Sequence, residues 1–241
     1  MTNRESYKRG MVVVAHADDA EFGCSGTVAT WCRQGMEVVY VLCTDGSKGS
    51  SDPKITSSQL MEIRKREQEA AARVLGVKEV VFLGYEDSML QPTLELRRDI
   101  AREIRRHKPD VVICSSPTRN LFGQGYIGHP DHMAAGEAAL SAIFPAARDR
   151  LTFPELLKEG LEPHKVREVL ISDRENADTW IDVSDVIDIA IEALKQHASQ
   201  IGEWDVAKGM REWRANTGKP KDIPYAEAFK SFLFRVDEQK E

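Results

Sequence analysis

Long apolar runs are missing from this chain of 241 residues. No stretch approaches the roughly 18–20 consecutive apolar residues that a transmembrane helix needs, so we expect no membrane span. Residues 1–10 are polar and mixed in charge, without the apolar centre of a secretion signal, and we expect no such signal. Internal repeats and low-complexity segments are also absent, so no repeat architecture is expected.

Cysteine is scarce and scattered. The four cysteines, at positions 24, 32, 43 and 114, show no CxxC spacing, which argues against a disulfide framework and against a cysteine-rich zinc site. Reduced thiols are the simplest interpretation, and we expect a cytoplasmic protein. The formal net charge of −6 argues against nucleic acid as the main partner.

What the chain does have is a regular alternation of strand and helix patterns. Its composition, 41% hydrophobic and 30% charged, suits an α/β domain with a substantial core. Strands are predicted over residues 11–15, 37–43, 79–83, 110–114 and 166–171, and amphipathic helices over 59–75 and 94–107. This alternation predicts a mostly parallel sheet with helices on both faces. We expect a single domain over residues 1–241, with residues 201–241 a meandering segment packed on it.

Polar residues with metal-binding chemistry follow the first predicted strand. An apolar run over residues 12–15 leads directly into His16, Asp18 and Asp19, and glycines follow at positions 23 and 26. Such a run is typical of a strand buried on both faces, and open α/β sheets bind ligands at the carboxyl ends of their strands. Imidazole and carboxylate together suit a divalent metal such as zinc.

A second group of polar residues follows the fourth predicted strand. Residues 115–128 are rich in glycine, serine and proline, which predicts a long loop before His129, Pro130, Asp131 and His132. Pro130 suits the first position of a helix that we expect to run to about residue 144. His132 could complete a metal site of two histidines and one carboxylate, the type that leaves a position open for water.

The remaining polar side chains of the two groups suit acid–base chemistry. Asp18, beside a metal-bound water, would be a natural general base, and His129 a natural electrophile or general acid. Alternatively, the two adjacent aspartates are turn and helix-cap residues and His129 is an N-cap. The thiolates of Cys24 and Cys43 are rival metal ligands. A nucleotide-binding turn at residues 23–26 is disfavoured, because the turn lacks both a GxGxxG pattern and a Walker lysine.

Two motifs carry a resemblance to a known family. The sequences AHADDAE at residues 15–21, followed by GCSGT at 23–27, and HPDH at 129–132 resemble the signatures of the LmbE/PIG-L family of zinc-dependent N-deacetylases. The first signature usually reads AHPDDxE, so Ala17 replaces a proline, and Ser25 replaces a common glycine. Neither departure removes a candidate ligand. The resemblance extends over most of the chain and includes residues 44–46, 64–67, 83–87 and 195–200.

The resemblance implies a Rossmann-like fold with a metal at the strand ends. Its metal ligands would be His16, Asp19 and His132, with Zn²⁺ as the expected metal and Fe²⁺ as an alternative. It makes Asp18 the general base and His129 the group that stabilises the tetrahedral intermediate or protonates the leaving amine.

Three further residues are implicated by the same resemblance. Asp131 is expected to orient His129. Arg64 and Asp87 are expected to bind the substrate. Alternatively, Arg64 pairs with Glu67, which interrupts the apolar stripe of its helix and therefore needs a partner. Asp87 is alternatively a turn former.

The function implied is that of a metal-dependent hydrolase which removes an acetyl group from an N-acetylated amino sugar, such as an N-acetylglucosamine derivative. The expected partner is this small molecule, and we also predict a homo-oligomer. Two alternatives stay open: a metal-binding protein without deacetylase activity, and an acylamino-acid amidohydrolase.

Overall fold

The computed structural model describes residues 6–119, 121 and 127–235, which build a seven-stranded sheet in the order β3-β2-β1-β4-β5-β7-β6. The first five strands are parallel, whereas β7 runs antiparallel to both of its neighbours. The strands are β1 Arg9–Val14, β2 Glu37–Thr44, β3 Glu79–Tyr85, β4 Val111–Ser115, β5 Glu168–Ser172, β6 Thr179–Asp182 and β7 Ala226–Leu233. The mostly parallel α/β sheet is therefore confirmed, and part of the predicted loop, residues 120 and 122–126, lies outside the described residues.

Helices cover both faces of this sheet. They are α1 Asp19–Arg33, α2 Ser57–Leu75, α3 Leu94–His107, α4 Pro130–Ser141, α5 Glu155–Lys158, α6 Ile187–Lys195, α7 Ala198–Ile201 and α8 Val206–Gly218. A capping box between Thr56 and Gln59 starts α2, and Gly76 ends it with a positive φ of 82°. No helix among the described residues is both long and apolar enough to cross a bilayer.

The core lies on both sides of β1. Because side chains alternate along a strand, Met11 and Val13 enter the apolar cluster on one face, and Val12 and Val14 enter the cluster on the other. Helices α3 and α4 complete the first cluster, while α1 and α2 contribute to the second. Burial on both faces explains the unbroken apolar run that precedes His16.

The C-terminal segment is part of the sheet. The expectation of a meandering course is wrong for residues 201–235, which contain α8 and the strand β7. The β7 strand pairs with β5 through its second half and with β6 through its first half. Local sequence indicated this strand only weakly, because AEAFKSFL has a glutamate, Glu227, at a buried position where a strand usually has an apolar residue.

Glu227 and Arg214 hold a kink in α1. The helix breaks at Cys24, where φ is −150°. The Glu227 carboxylate accepts hydrogen bonds from the backbone N–H groups of Gly26 (3.0 Å) and Thr27 (2.8 Å), which begin the second half of the helix. Arg214 pairs with Glu227 at 2.9 Å and donates to the carbonyl oxygen of Phe22 at 2.8 Å, at the end of the first half. The C-terminal segment thereby fixes the orientation of the short first turn of α1, which starts at Asp19.

Arg105 is a buried arginine that binds backbone carbonyls. Its side chain is fully buried on α3, and its guanidinium donates to an otherwise irregular stretch of chain. The acceptors are the carbonyl oxygens of Ala146, Ala147, Asp149 and Thr152, at 2.7–3.2 Å. Arg105 therefore organises this stretch of chain by satisfying its buried polar groups.

We expect Arg105→Met to lower the free energy of unfolding by about 2–4 kcal/mol, because buried carbonyls would lose a charged donor. Urea denaturation measures the change. The matched control is Arg106→Met, one residue along, whose half-exposed side chain pairs with Glu103 and should cost less than about 1 kcal/mol. Equal losses for the two variants would contradict this role for Arg105.

Candidate active site

The polar turn after β1 has an unusual backbone conformation. Asp18 adopts the left-handed region with φ 84° and ψ −25°, although it is not glycine. Its carbonyl oxygen accepts the first hydrogen bond of α1, from Phe22 at 2.9 Å. Aspartate tolerates this region better than most residues, but the conformation still costs of order 1–3 kcal/mol and needs support from its surroundings. The turn separates the directions of two adjacent carboxylates, Asp18 and Asp19.

A glycine brings the second motif to the same edge of the sheet. Helix α4 lies against the end of β4 at Gly136, where a Cβ atom would come within 2.4 Å of the Ser115 carbonyl oxygen. No other residue would allow this approach without movement. Pro130 stands in the first turn of α4, as predicted, and His129 is its N-cap, as the alternative interpretation of this residue expected. His129 and His132 are thereby positioned next to the end of β1.

Three predicted ligands meet at this edge. The Nδ1 atom of His16 lies 3.2 Å from the Nε2 atom of His132. The Asp19 carboxylate approaches the same two nitrogen atoms, at 3.5 Å from His16 and 3.0 Å from His132. Zinc bonds of about 2.0–2.1 Å in a tetrahedral site separate neighbouring ligand atoms by roughly 3.3 Å. The spacing of these three side chains therefore fits a divalent metal.

The opposite nitrogen of His16 is held by carboxylates. Its Nε2 atom lies 3.1 Å from Asp131 and 3.3 Å from Asp87. Since these carboxylates accept a hydrogen bond from the Nε2–H group, the lone pair of Nδ1 in the neutral ring is directed at His132 and Asp19. Metal-binding histidines usually have such a carboxylate partner on their second nitrogen. This arrangement gives a second reason why the residues fit a metal.

The carboxylate of Asp131 lies closer to His16 than to His129. The sequence predicted that Asp131 orients His129, yet its carboxylate is 3.9 Å from His129 Nδ1 and 3.1 Å from His16 Nε2. It also accepts hydrogen bonds from the backbone N–H groups of Ser88 (2.7 Å) and Leu90 (3.3 Å). In this structure Asp131 therefore orients His16 and the β3–α3 loop.

Opposite charges are concentrated around His16. Burial opposes its protonation, but the hydrogen bonds and charges of Asp19 and Asp87 raise the pKa of His16 to about 11. Burial also opposes the charge of Asp19, yet His132 and His16 hold the pKa of this carboxylate well below its usual range. Such a surplus of carboxylates about buried imidazoles attracts positive charge, which a bound metal ion would supply.

Asp18 has the opposite electrostatic environment. Burial, followed by the negative charges of Asp19 and Glu21, raises the pKa of Asp18 well above its usual value. The residue lines a cavity of about 1000 Å³ that also reaches His16, Asp19 and His132. A carboxylate with a raised pKa at such a cavity can take up and release a proton, as general bases do.

His129 lies across the cavity with a defined tautomer. Burial and the nearby charge of His16 lower its pKa, which favours the neutral ring. Its Nδ1 atom accepts a hydrogen bond from the backbone N–H of Asp131 at 3.2 Å. The proton of the neutral ring is therefore on Nε2, as a donor requires. One nitrogen atom of His129 also lies within 4.8 Å of a nitrogen atom of His16 and of His132.

Arg64 and Asp87 lie at the cavity wall, bound to each other. Arg64 Nη1 donates to Asp87 at 3.2 Å, and its Nη2 donates to Gln200 at 2.9 Å. Glu67 instead accepts hydrogen bonds from Ser199, so the alternative of an Arg64–Glu67 pair is wrong. The buried face of α2 differs from the apolar stripe that the sequence suggested, because polar side chains lie on it. Its buried residues are Leu60, Arg64, Gln68, Ala71, Ala72 and Leu75.

The two candidate cysteine ligands do not join this cluster. Burial raises the pKa of Cys24 and of Cys43, which keeps both thiols protonated. Within the described part of the chain, none of the residue groups close enough to hold a metal includes a cysteine. Sequence reasoning missed other residues: Ser88, whose N–H binds Asp131, and the buried Gln68, whose side chain contacts the turn at Asp18.

Comparison with known proteins agrees with this geometry. Residues 11–143 match the family described as PIG-L: GlcNAc-PI de-N-acetylase. The chain is 31% identical to the diacetylchitobiose deacetylase of Thermococcus kodakarensis over 92% of its own length and 82% of the relative's. It is 29% identical to the probable N-acetyl-alpha-D-glucosaminyl L-malate deacetylase 2 of Bacillus anthracis, over 79% of this chain and 80% of that protein.

A solved structure extends the likeness to three dimensions. The N,N'-diacetylchitobiose deacetylase of Pyrococcus horikoshii superposes with a TM-score of 0.88 at 26% identity, covering 95% of this chain and 85% of that one. Both motifs of the sequence lie inside the matched residues 11–143. From its motifs, its fold and these matches, the chain belongs to the PIG-L family and is an N-deacetylase.

Proposed function

We propose that this protein is a zinc-dependent hydrolase which removes the acetyl group from an N-acetylated amino sugar. The observation that carries the proposal is the meeting of His16, Asp19 and His132 beside Asp18 at one cavity. The relatives named above act on acetylated glucosamine derivatives, as their names state. The proposed metal is Zn²⁺, although Fe²⁺ suits the same two histidines and one carboxylate.

The cavity has room for a sugar. Its volume of about 1000 Å³ is at the upper end of the range for small-molecule sites. Its wall combines charged, polar and aromatic groups, which suits a polyhydroxylated ring. Residues on this wall include Phe22, Lys48, Arg64, Asp87, Arg119 and Trp213. We propose that Arg64 and Asp87, already fixed by their mutual contact, face the sugar hydroxyls.

The side chains divide the chemistry between them. A divalent metal bound by His16, Asp19 and His132 would supply a Lewis acid and a water of lowered pKa. Asp18 takes the proton of the attacking water, as its raised pKa permits. His129, neutral and protonated on Nε2, donates a hydrogen bond to the developing oxyanion. The proton that Asp18 has taken from the water then passes to the leaving amine. Acetate and a free amine are the products.

A substrate panel tests this function. We expect amine release from N-acetylglucosamine, its oligomers or its glycosides by protein loaded with zinc, detected with an amine-reactive fluorophore. The control is the same protein stripped with a chelator, which should release about as little amine as buffer. Release from N-acetylated amino acids alone would indicate an acylamino-acid amidohydrolase. Metal binding without release from any substrate would indicate a metal-binding protein without deacetylase activity.

A further inference from the structure

A buried chain of hydrogen bonds connects the end of α6 to the turn at Asp18. His197 Nε2 lies 3.0 Å from the Glu21 carboxylate, and Gln68 Nε2 donates to both oxygens of that carboxylate at 3.2 Å. The Oε1 atom of Gln68 accepts the backbone N–H of Asp18 at 3.2 Å. The side chains of His197, Glu21 and Gln68 have no exposed surface, so water does not compete for these bonds.

The order of donors in this chain is fixed by its central carboxylate. Ionised Glu21 can only accept hydrogen bonds, so the amide of Gln68 must turn its NH₂ group towards it. That orientation leaves the carbonyl oxygen of Gln68 for the N–H of Asp18. Had Glu21 been an amide, only the N–H of Asp18 would favour this orientation of Gln68. The carboxylate therefore reinforces the orientation in which the carbonyl oxygen of Gln68 faces the backbone of Asp18.

The residue at the end of this chain is the one that most needs support. Asp18 holds a left-handed backbone conformation between two groups of the proposed metal site, His16 and Asp19. Its side chain must point into the cavity while that of Asp19 points at the histidines. We infer that Gln68 is a positioning residue, which holds the backbone of Asp18 so that its carboxylate faces the substrate, and that Glu21 and His197 lock Gln68. This inference rests on the proposed function of Asp18 as general base.

The segment that carries His197 is itself fastened to α2. Ser199 donates to Glu67 from its backbone N–H at 2.8 Å and from its hydroxyl at 2.6 Å. Gln200 accepts from Arg64 at 2.9 Å. These contacts fix the short helix α7 next to the part of α2 that presents Gln68. Residues 195–200 belong to the family resemblance but not to the metal site. These contacts give them the role of holding His197 and α2 together.

Kinetics and metal content of Gln68→Leu test the inference. We expect kcat to fall roughly 10- to 100-fold, because a small misplacement of a reacting group has effects of this size. KM should stay within about twofold and metal per chain should be unchanged, since no substrate contact or ligand is removed. The control is Gln196→Leu, whose amide contacts only Glu192 on its own helix among the described residues and which should keep wild-type kcat.

A second variant preserves the shape of the buried chain. Glu21→Gln keeps the shape of the side chain. Its amide, unlike the carboxylate, can also donate a hydrogen bond, so it no longer enforces the orientation of Gln68. We expect a smaller loss of kcat than for Gln68→Leu, about 3- to 10-fold, with metal retained. This variant answers the question if Gln68→Leu fails to fold. Loss of metal in either variant would show that the chain supports the ligands instead, and would overturn the inference.

A double variant separates positioning from general damage. If Gln68 acts through Asp18, then Gln68→Leu should cost nothing further once Asp18→Asn has removed the base. The double variant should then match Asp18→Asn in kcat. Additive losses would contradict action through Asp18.

Amide exchange gives a readout that does not depend on activity. In Gln68→Leu the N–H of Asp18 should exchange with solvent at least about tenfold faster than in the wild type, followed by NMR. The N–H of His16, which donates to the Asp19 carboxylate at 2.8 Å, serves as the unaffected internal control. If the substrate panel fails while Asp18 exchange accelerates, the proposed function is wrong and the support of Asp18 by Gln68 stands. Unchanged exchange at Asp18 would overturn that support whatever the panel gives.

Discussion

Replacing Asp18 by asparagine should lower kcat by a factor of about 10²–10⁴ while the bound metal stays at its wild-type level. The amide cannot take a proton from the attacking water, so the variant lacks the proposed general base. The fold should be kept, because asparagine tolerates the left-handed conformation that Asp18 adopts at φ 84°. Added metal should not restore the rate.

The neighbouring carboxylate provides the matched comparison. Asp19 contacts both His16 and His132, so Asp19→Asn should weaken metal binding, and part of the activity should return at high metal concentration. Elemental analysis and turnover, measured on both variants, test the assignment. Metal loss from Asp18→Asn together with metal retention by Asp19→Asn would mean that the two roles are reversed.

The second large effect is expected from His132→Ala, which should reduce metal affinity by at least about 100-fold. Loss of a group that only orients a ligand already costs 10- to 100-fold, and a direct ligand should cost no less. Stability without metal should fall by about 1–3 kcal/mol, because the Asp19 carboxylate loses one of its two histidine partners, while the core is untouched since the side chain of His132 is 31% exposed and lies in the first turn of α4.

Isothermal titration calorimetry with the metal measures this affinity. The control is His107→Ala, a histidine on α3 outside the cluster, which should bind metal like the wild type. Full metal binding by His132→Ala would contradict its role as a ligand. In that case His129 would become the candidate for the third ligand, since its ring nitrogen also lies within 4.8 Å of His16.

The sequence predicted the part of the fold that is encoded locally. The five parallel strands could be predicted because burial on both faces produces unbroken apolar runs. Helix α3 could be predicted because burial on one face produces a 3.6-residue period. The strand β7 was missed because its position depends on pairing with β5 and β6, distant in the sequence, and its alternation is blurred by Glu227. Buried charge satisfied by distant partners has no local signal.

The same distinction applies to the site. The motifs brought His16, Asp18, Asp19 and His132 to one sheet edge, because the carboxyl ends of parallel strands meet there. Which group faces which could not be predicted. The contact of Asp131 with His16 depends on side-chain directions that spacing does not determine.

The partners of Arg64 and Gln68 were missed for a related reason. A helical wheel that assumes an apolar inner face assigns such residues to the outside, whereas α2 buries both. A polar residue four positions from another on an otherwise apolar stripe was the available signal. Arg64 and Gln68 form that pair, and Leu60 lies on the same stripe one turn earlier.

The place of β7 between β5 and β6 also orders events during synthesis. Translation proceeds at about 5–20 residues per second, and domains begin to fold from their N-terminal side as they emerge. The β6 strand joins the described sheet through β7, and the kink of α1 is capped by Glu227 on that same strand. A nascent chain can therefore assemble β1 to β5 while the turn before α1 is still uncapped. The turn that carries Asp19 should accordingly reach its final geometry only after residues 226–233 have joined the sheet.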